Sequence, residues 1–302
     1  MKLAKGDEAE DSTMRKSQSS MTAIGIAIVR AIESEKPEAD RICYDPYARQ
    51  FVNGALYHFV RLFDRLGYSE KRGPGVMGFL TVRERHIDEY LKTRLASGLQ
   101  QVVILGAGYD ARAYRFDEFR RGVKVFEVDH PATQQAKLKK LAKIFGAVPG
   151  HVTYVTIDFN TQTLEQRLRE CSYDEHVQTL FIWQGVTQYL TPEGVDSTLA
   201  FVAQHSAPGS SIIFDYMYTA LLDGTVKHGE VSKMRRDRWL SNEVLAFGIP
   251  AGTITAFLEQ RGFTQVHDAN CQYLHDTYFT GNNAQRTVAD GYAIASAVVK
   301  VQ

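Results

Sequence analysis

The segment from Val102 to Arg112 combines residue types that suit the binding of a small ligand. An apolar run ends at Leu105 and is followed by Gly106-x-Gly108 and then by a predicted helix. Glycines at this point let the backbone pass close to a ligand at the carboxyl end of a strand, where open α/β sheets bind their ligands. The pattern therefore predicts a ligand-binding turn after the first strand of a sheet.

The charge of Asp110 narrows the choice of ligand. We expect Asp110 to open the helix, where a carboxylate disfavours a pyrophosphate and favours a cation. S-adenosylmethionine carries both an ammonium and a sulfonium group, so it suits this position. Gly106, Gly108 and Ala111 also match the loose form of the dinucleotide-binding pattern, which keeps a nicotinamide-dependent oxidoreductase open as an alternative.

Acidic residues end the next two predicted strands. Glu127 and Asp129 close the second strand about twenty residues beyond Gly108, the spacing at which a strand-end carboxylate reaches ribose hydroxyls. Alternation places both on one side, so we expect one to bind the ribose and the other to orient the loop. Asp158 and Phe159 follow the third strand and are candidates to contact the adenine amino group and ring.

Aromatic side chains lie near the same predicted edge of the sheet. The fourth strand ends at Trp183, and the nearby predicted turns contain Tyr109, Tyr114 and Tyr189. Such rings attract a sulfonium by cation–π interaction or pack in a core. We take these four as candidate substrate-binding residues. No Asp-His couple with the spacing of a general base is found, so the catalytic residues are not assigned.

The sequence from about Met21 to its end resembles the leucine carboxyl methyltransferase family, most closely its bacterial and fungal branch of polyketide-type O-methyltransferases. The segments that carry the resemblance are Thr22-Ala23 through Arg30-Ala31-Ile32-Glu33, Asp45-Pro46-Tyr47-Ala48, Arg83-Glu84-Arg85-His86-Ile87-Asp88, Leu105 through Arg115, and Glu127-Val128-Asp129-His130-Pro131. The resemblance implies a class I methyltransferase fold with a helical N-terminal cap. It also implies methyl transfer from S-adenosylmethionine to oxygen, often of a carboxylate, with S-adenosylhomocysteine as the second product.

Roles for single residues follow from the resemblance. It implies that Arg83 holds the carboxylate of the cofactor, a task that suits a planar bidentate donor. It further implies that Gly106 belongs to the cofactor loop, that Asp129 binds the ribose, and that Asp158 with Phe159 contacts the adenine.

At Gln184, after the fourth strand, the sequence departs from the family, which usually has an acid there. A glutamine carbonyl still accepts a hydrogen bond from an ammonium, so Gln184 stays a candidate cofactor residue. Arg112 and Arg115 match two arginines of the family, and we expect a structural role for them, in pairing with Asp110 or Glu127.

Hydrophobic periodicity predicts the elements that position these residues. Residues 21–97 carry apolar residues at helical spacing and are predicted to form a helical cap. Residues 98–302 alternate apolar runs with helical segments, which predicts a Rossmann-like, doubly wound, mostly parallel seven-stranded sheet with an antiparallel edge. The predicted strands are Gln101–Leu105, Val123–Val128, Val152–Ile157, Thr179–Trp183, Ser211–Asp215, Thr264–Ala269 and Tyr292–Val299. Residues 1–20 are predicted to be a disordered tail, and 217–250 a lid insertion.

Composition limits the kind of partner. The chain has 35 Lys and Arg against 35 Asp and Glu, so no overall field attracts nucleic acid or an anionic membrane. Three scattered cysteines favour reduced thiols and a cytoplasmic location, and the scattered histidines favour no metal site. We therefore expect a small-molecule partner and leave the oligomeric state open.

Together these patterns predict an S-adenosylmethionine-dependent O-methyltransferase of secondary-metabolite type, acting on a small carboxylate. Two alternatives stay open beside the oxidoreductase. One is methylation of a phenol or other hydroxyl group, and the other is a homologue that binds the cofactor without catalysis.

Overall fold

The computed structural model describes residues 21–158, 161–223 and 245–301, and within them seven strands form one sheet. The strands are β1 (Gln101–Leu105), β2 (Lys124–Asp129), β3 (Val152–Thr156), β4 (Thr179–Trp183), β5 (Ser211–Met217), β6 (Phe263–Ala269) and β7 (Tyr292–Val299). Their spatial order is β3-β2-β1-β4-β5-β7-β6. The neighbours from β3 to β5 are parallel, and β7 is antiparallel to β5 and β6. The predicted Rossmann-like fold class is confirmed.

Helices connect and cover these strands. They are α1 (21–34), α2 (Gly54–Arg65), α3 (Tyr68–Arg72), α4 (Val76–Ala96), α5 (Arg112–Arg115), α6 (Pro131–Phe145), α7 (Leu164–Glu170), α8 (Pro192–Gln204), α9 (Thr219–Asp223), α10 (Ile254–Glu259) and α11 (Cys271–Tyr278). No described helix is long and apolar enough to cross a bilayer.

The central strands are continuous apolar runs because both faces of the sheet are covered. Every residue of β1, β4 and β5 is buried. One core lies on the face that also packs α1 and α4, through residues such as Ile28 and Val82, and the other packs α8 and α10, through residues such as Leu199 and Leu258. Apolar residues on both sides of each strand are what a parallel sheet between two helical layers requires.

Local sequence signals fix where the crossover helices begin. His130 caps α6, its Nδ1 accepting a hydrogen bond from Ala132 N at 3.3 Å, and Pro131 occupies the first turn. Thr191 caps α8 in the same way, accepting from Gly194 N at 3.2 Å. Both helices therefore start directly after a strand end or its short loop, and this places His130 at the edge where a ligand would lie.

Strand order reverses between β1 and β4, which pair with each other in the middle of the sheet. Connections from these strands leave in opposite directions, so a crevice opens beyond their carboxyl ends. The residues that follow β1 and β4 are the glycine turn and Gln184. The fold thus brings together two segments that lie far apart in the sequence.

The predicted antiparallel edge is confirmed: β7 pairs antiparallel with β5 and with β6, and β6 is the outermost strand. Within residues 21–97 the described elements are all helical, while the domain boundaries themselves stay a prediction. The predicted tail, 1–20, and most of the predicted lid, 224–244, lie outside the described residues.

Candidate functional site

A cavity of about 540 Å³ opens at the carboxyl ends of β1, β2 and β4, with α1 over it. Residues of α1 that line it are Thr22, Ala23, Ile26 and Arg30. Eight of the predicted site residues also line it, namely Gly106, Gly108, Tyr109, Asp110, Asp129, Trp183, Gln184 and Tyr189. Four others, Arg83, Tyr114, Glu127 and Asp158, are not among its lining residues, and Phe159 lies outside the described residues.

The glycine turn packs against the loop after β4. Gly106 has φ of 66°, and a Cβ atom there would lie 2.4 Å from Val186 Cγ2. Gly106 N and Ala107 N both donate to Val128 O, at 2.8 and 3.0 Å. A side chain at Gly106 would therefore meet both unfavourable backbone geometry and a steric clash, so the close approach of the two loops requires glycine.

Asp129 is tied to the turn by backbone hydrogen bonds. Its Oδ2 accepts from Gly108 N at 2.5 Å and its Oδ1 from His130 N at 2.6 Å. Burial raises the pKa of Asp129, although these two amides act in the opposite direction. Each oxygen keeps a further lone pair, so the carboxylate is held at the cavity wall with capacity to accept from a ligand hydroxyl.

Asp110 occupies a different position from the one expected. The helix α5 begins at Arg112, not at Asp110, and Arg112 N donates to Asp110 Oδ1 at 2.7 Å. Arg112 Nη1 also pairs with Asp110 Oδ2. Burial alone would raise the pKa of Asp110, but the Arg112 guanidinium holds it below its usual value. Asp110 is thus a paired carboxylate at the cavity and not the first residue of a helix.

Arg112 is the centre of a buried ionic cluster. Its Nη2 lies 2.7 Å from Glu84 Oε2, its Nε lies 2.7 Å from Asp88 Oδ1, and its Nη1 donates to Gln184 Oε1 at 2.9 Å. Gln184 Nε2 in turn donates to Glu84 Oε1 at 2.5 Å. The expected pairing of Arg112 with Asp110 is found. The bonds that Arg112, Gln184 and Glu84 make with one another tie the loop after β4 to α4.

Arg30 links α1 to the same cluster. Its Nε lies 3.0 Å from Asp45 Oδ2 and its Nη1 3.4 Å from Glu84 Oε1, while its Nη2 donates to the carbonyl of Tyr109. Burial opposes ionisation of Glu84, yet Arg112 and Arg30 hold its pKa well below the usual value. Arg30 and Glu84 were not predicted as site residues. The signal that could have identified them is a charged residue on the apolar side of a predicted helix.

Arg83 is buried beside the crevice and uses only part of its hydrogen-bonding capacity. Its Nη1 lies 2.6 Å from Asp215 Oδ2, and Asp215 Oδ1 accepts from Gly185 N at 2.6 Å. Arg83 Nε and Nη2 have no hydrogen-bond partner among the described residues. A Cβ at Gly185, a cavity residue, would lie 3.4 Å from Arg83 Nη1. Unsatisfied buried donors at this place fit an anionic group of a ligand.

Glu127 and Tyr114 belong to the interior. Glu127 lies 2.8 Å from Lys137 Nζ, and burial raises the pKa of Glu127 to about 7 despite this ammonium. Tyr114 is fully buried, with its ring 5.4 Å from Lys137 Nζ and its hydroxyl 3.4 Å from that of Tyr154. Glu127 therefore pairs with Lys137 and not with Arg112 or Arg115, and neither residue lies at the cavity.

The remaining aromatic candidates do reach the cavity. Trp183 is buried and packs on Phe214 at 5.9 Å between ring centroids. Tyr109 packs on Phe51 at 5.4 Å. Tyr189 lies on the short helical turn Thr187–Tyr189 and is partly exposed. Trp183 and Tyr109 pack in the core and also line the cavity, so their rings shape the wall of the site.

The candidate Asp158 and the buried His86 are not among the residues that line the cavity. Asp158 follows β3, and its backbone N donates to Gln162 Oε1 at 3.0 Å. His86 contacts Tyr278 through Nδ1 at 2.9 Å, and burial lowers the pKa of His86 to about 4. His130 is the histidine that lines the cavity.

Known proteins resemble this chain in sequence. The sequence model of the family described as leucine carboxyl methyltransferase matches residues 23–203. A Bacillus subtilis protein, provisionally named an S-adenosyl-L-methionine-dependent methyltransferase, is 32% identical over 66% of this chain and 65% of its own length, so the match spans just under two thirds of that relative. A Mycobacterium protein with the same provisional name is 31% identical, over 78% of this chain and 77% of its own length.

The fold has a counterpart among solved structures. A protein of Thermobifida fusca, provisionally described as a methyltransferase, matches 91% of this chain and 94% of its own chain with a TM-score of 0.54 and 14% identity. At this identity the likeness supports the fold alone.

Proposed function

Because this chain belongs to the leucine carboxyl methyltransferase family, we propose that it transfers a methyl group from S-adenosylmethionine to an oxygen of a small, largely apolar molecule in the cytoplasm. The observation that carries the proposal is the crevice at the reversal of strand order. There the glycine turn and the Asp129 carboxylate line the cavity, and Arg83, buried behind the lining residue Gly185, has two donors without a described hydrogen-bond partner.

The residues present fit S-adenosylmethionine at its two polar ends. Arg83 Nε and Nη2 would hold the carboxylate of the cofactor, since they are buried donors that lack another described partner. Asp129 would accept from the ribose hydroxyls, because Gly108 N and His130 N fix its orientation. Asp158 and Phe159 are proposed for the adenine end from the family resemblance. Glu127 is not part of the proposal.

The ionic cluster compensates for the missing acid at Gln184. It contains three guanidinium groups and four carboxylates, those of Arg30, Arg112, Arg115, Asp45, Glu84, Asp88 and Asp110. One carboxylate is therefore in excess, and charges in a buried site act strongly on a ligand. We infer that this excess, with the Asp110 edge exposed to the cavity, favours the cationic cofactor although Gln184 is neutral.

The reaction would be an in-line displacement. A lone pair of the acceptor oxygen forms the new C–O bond as the S–CH₃ bond breaks, and the sulfur keeps the bonding pair. Holding the two reactants in line lowers the barrier by about 7 to 11 kcal/mol in favourable cases, so the residues of the site act mainly by positioning. A carboxylate acceptor is already ionised and needs no base, so we propose methyl ester formation as the main activity.

One observation favours the alternative of a hydroxyl acceptor. Arg30 is the guanidinium that lines the described cavity, and its donors already meet Asp45, Glu84 and the Tyr109 carbonyl. It is therefore poorly placed to bind a carboxylate acceptor. His130 lines the same cavity, but its Nδ1 accepts from Ala132 N, so Nε2 carries the proton of the neutral ring. It could take a proton from a phenol only if Nδ1 released Ala132 N and held the ring proton instead.

Product analysis decides between these acceptors. The full chain is incubated with methyl-labelled S-adenosylmethionine and matched aromatic acids and phenols between pH 6 and pH 8, and His130→Asn serves as a variant that keeps a capping side chain. Ester products, a flat pH profile and an unaffected variant support carboxylate methylation. Ether products with a rate that falls toward pH 6 and is lost in His130→Asn overturn it. Cofactor binding without any labelled product would assign a non-catalytic role.

A further inference from the structure

The helix α2 exposes part of its apolar side. Phe59, Leu62 and Leu66 are three or four residues apart, so they lie on one side of α2 and its C-terminal cap. They are 57%, 55% and 58% exposed. Only Tyr57 is buried within α2. Leu56 and Val60 pack against the core, but the remainder of the apolar side of this amphipathic helix faces outward, where an ordinary surface helix is polar.

Apolar and polar contacts together hold the inward side of α2 to the protein. Leu56, Tyr57 and Val60 pack in or against the core. Arg61 Nη2 lies 2.9 Å from Glu35 Oε2, just after α1. Asp64, on the same side, lines a second cavity beside Glu33 and Lys36. These contacts fix the orientation of the helix, so the exposed apolar side is a property of the folded chain.

The exposed rings form one continuous patch. Phe59 and Phe63 have ring centroids 4.4 Å apart, and Phe63 and Tyr68 have centroids 5.3 Å apart. The apolar patch of Phe59, Leu62, Phe63, Leu66 and Tyr68 thus extends from α2 to α3. Other exposed large apolar residues, such as Val148 and Tyr273, lie in separate parts of the chain. A contiguous patch of this kind marks an interaction surface, whereas scattered residues do not.

Exposed positive charge lies beside the patch. From residue 54 to 72 the cationic residues are Arg61, Arg65, Lys71 and Arg72, and the acidic residues are Asp64 and Glu70. Arg65 and Lys71 are exposed, with Lys71 Nζ 5.8 Å from the centre of the Tyr68 ring. A helix with aromatic and leucine residues on one side and cations along its flank has the composition of an interfacial membrane helix.

We propose that the apolar patch of α2 and α3 docks onto an anionic bilayer surface. Phe59, Leu62 and Leu66 would enter the boundary of the acyl chains, while Arg65 and Lys71 would meet anionic headgroups. A second copy of this chain fits the patch less well, because two-fold pairing would bring the same cations toward each other. The chain as a whole is neutral, so the attraction acts through this patch alone.

Co-sedimentation with vesicles tests the proposal. The full chain is mixed with phosphatidylcholine vesicles with and without phosphatidylglycerol, and the pelleted fraction is measured. The double variant Phe59→Ser/Leu62→Ser removes the centre of the patch, and Val148→Ser/Tyr273→Ser is a control with similarly exposed residues. We expect binding to the anionic vesicles, a loss of at least about tenfold in the patch variant because two apolar side chains no longer enter the interface, and no loss in the control.

The charge contribution is tested with Arg65→Gln/Lys71→Gln, which should weaken binding to anionic vesicles and leave binding to neutral ones unchanged. Absence of vesicle binding, or an equal loss in the control variant, overturns the proposal. A dimer in sedimentation equilibrium that Phe59→Ser/Leu62→Ser dissociates would instead assign the patch to a second copy. Affinity for S-adenosylmethionine is measured in parallel and should not change, so this inference stands apart from the proposed activity.

Discussion

Arg112 and Arg83 are both buried near the crevice, and both pair with carboxylates, but they differ in how many of their donors are satisfied. Arg112 contacts Glu84, Asp88, Asp110 and Gln184 through its three nitrogens. Arg83 contacts Asp215 through Nη1 and leaves Nε and Nη2 without a described partner. A guanidinium whose donors are all bonded stabilises the fold, whereas one with buried donors to spare is suited to a ligand.

The difference between the two arginines predicts the largest effect at Arg112. Replacing it in Arg112→Leu would leave Glu84, Asp88 and Asp110 buried without their shared cation. We expect a loss of about 3 to 5 kcal/mol in the free energy of unfolding, as for other broken buried ion pairs. Urea denaturation measures it, with the exposed Arg121→Leu as a control that should change stability little. A stable Arg112→Leu variant would contradict the conclusion that Arg112, unlike Arg83, stabilises the fold.

At Arg83 the expected effect is on the ligand. Arg83→Lys keeps a charge to pair with Asp215 but cannot reproduce the planar, bidentate fork. We expect the affinity for S-adenosylmethionine to fall by about 1.5 to 3 kcal/mol, the range for hydrogen bonds to charged groups. Calorimetric titration measures the dissociation constant, and Arg85→Lys, an exposed neighbour on α4, is the control. An unchanged constant would show that the spare donors of Arg83 have no ligand role.

Asp129 is the acidic residue proposed to bind the same cofactor as Arg83. Asp129→Ala should weaken cofactor binding by about 1 to 3 kcal/mol, since buried ribose hydroxyls would lose their charged acceptor. Equilibrium dialysis with S-adenosylhomocysteine measures this loss, and the exposed Asp196→Ala should bind as the original chain does. Equal affinities for the two variants would reduce Asp129 to a support of the glycine turn.

The smallest effect concerns the pH dependence of stability. Burial raises the pKa of Glu127 to about 7, so the folded chain holds this proton more tightly than the unfolded chain. The stability from this group is complete below the usual pKa, near 4.5, and is lost as the pH rises through about 7. Between pH 6 and pH 7 the original chain should lose about 1 kcal/mol relative to Glu127→Gln. Parallel curves for the two proteins would contradict the raised pKa.

The sequence was informative where a rule acts locally. Apolar runs predicted the bounds of β1, β4 and β7 as the structure has them, because a strand covered on both faces must be apolar throughout. Gly106 and Gly108 were found from the turn that they permit. These signals lie within a few neighbouring residues and need no knowledge of the remainder of the fold.

Long-range pairing could not be deduced in this way. Glu127 was placed at the ligand edge because it alternates with Asp129, yet its partner Lys137 comes from the following helix. Arg30 meets Glu84 and Asp45 only after α1 and α4 pack together. For α2, periodicity predicted a helix but not that part of its apolar side faces outward, because spacing defines a side of a helix and not what covers it.

The most direct test of the account compares two ligands on two proteins. S-adenosylmethionine and its decarboxylated analogue, which lacks only the carboxylate, are titrated into the original chain and into Arg83→Lys by calorimetry. If Arg83 holds the carboxylate, the original chain should prefer S-adenosylmethionine by about tenfold or more, and the variant should lose most of this preference. The same preference in both proteins would contradict the account, because it would show that the carboxylate is bound elsewhere.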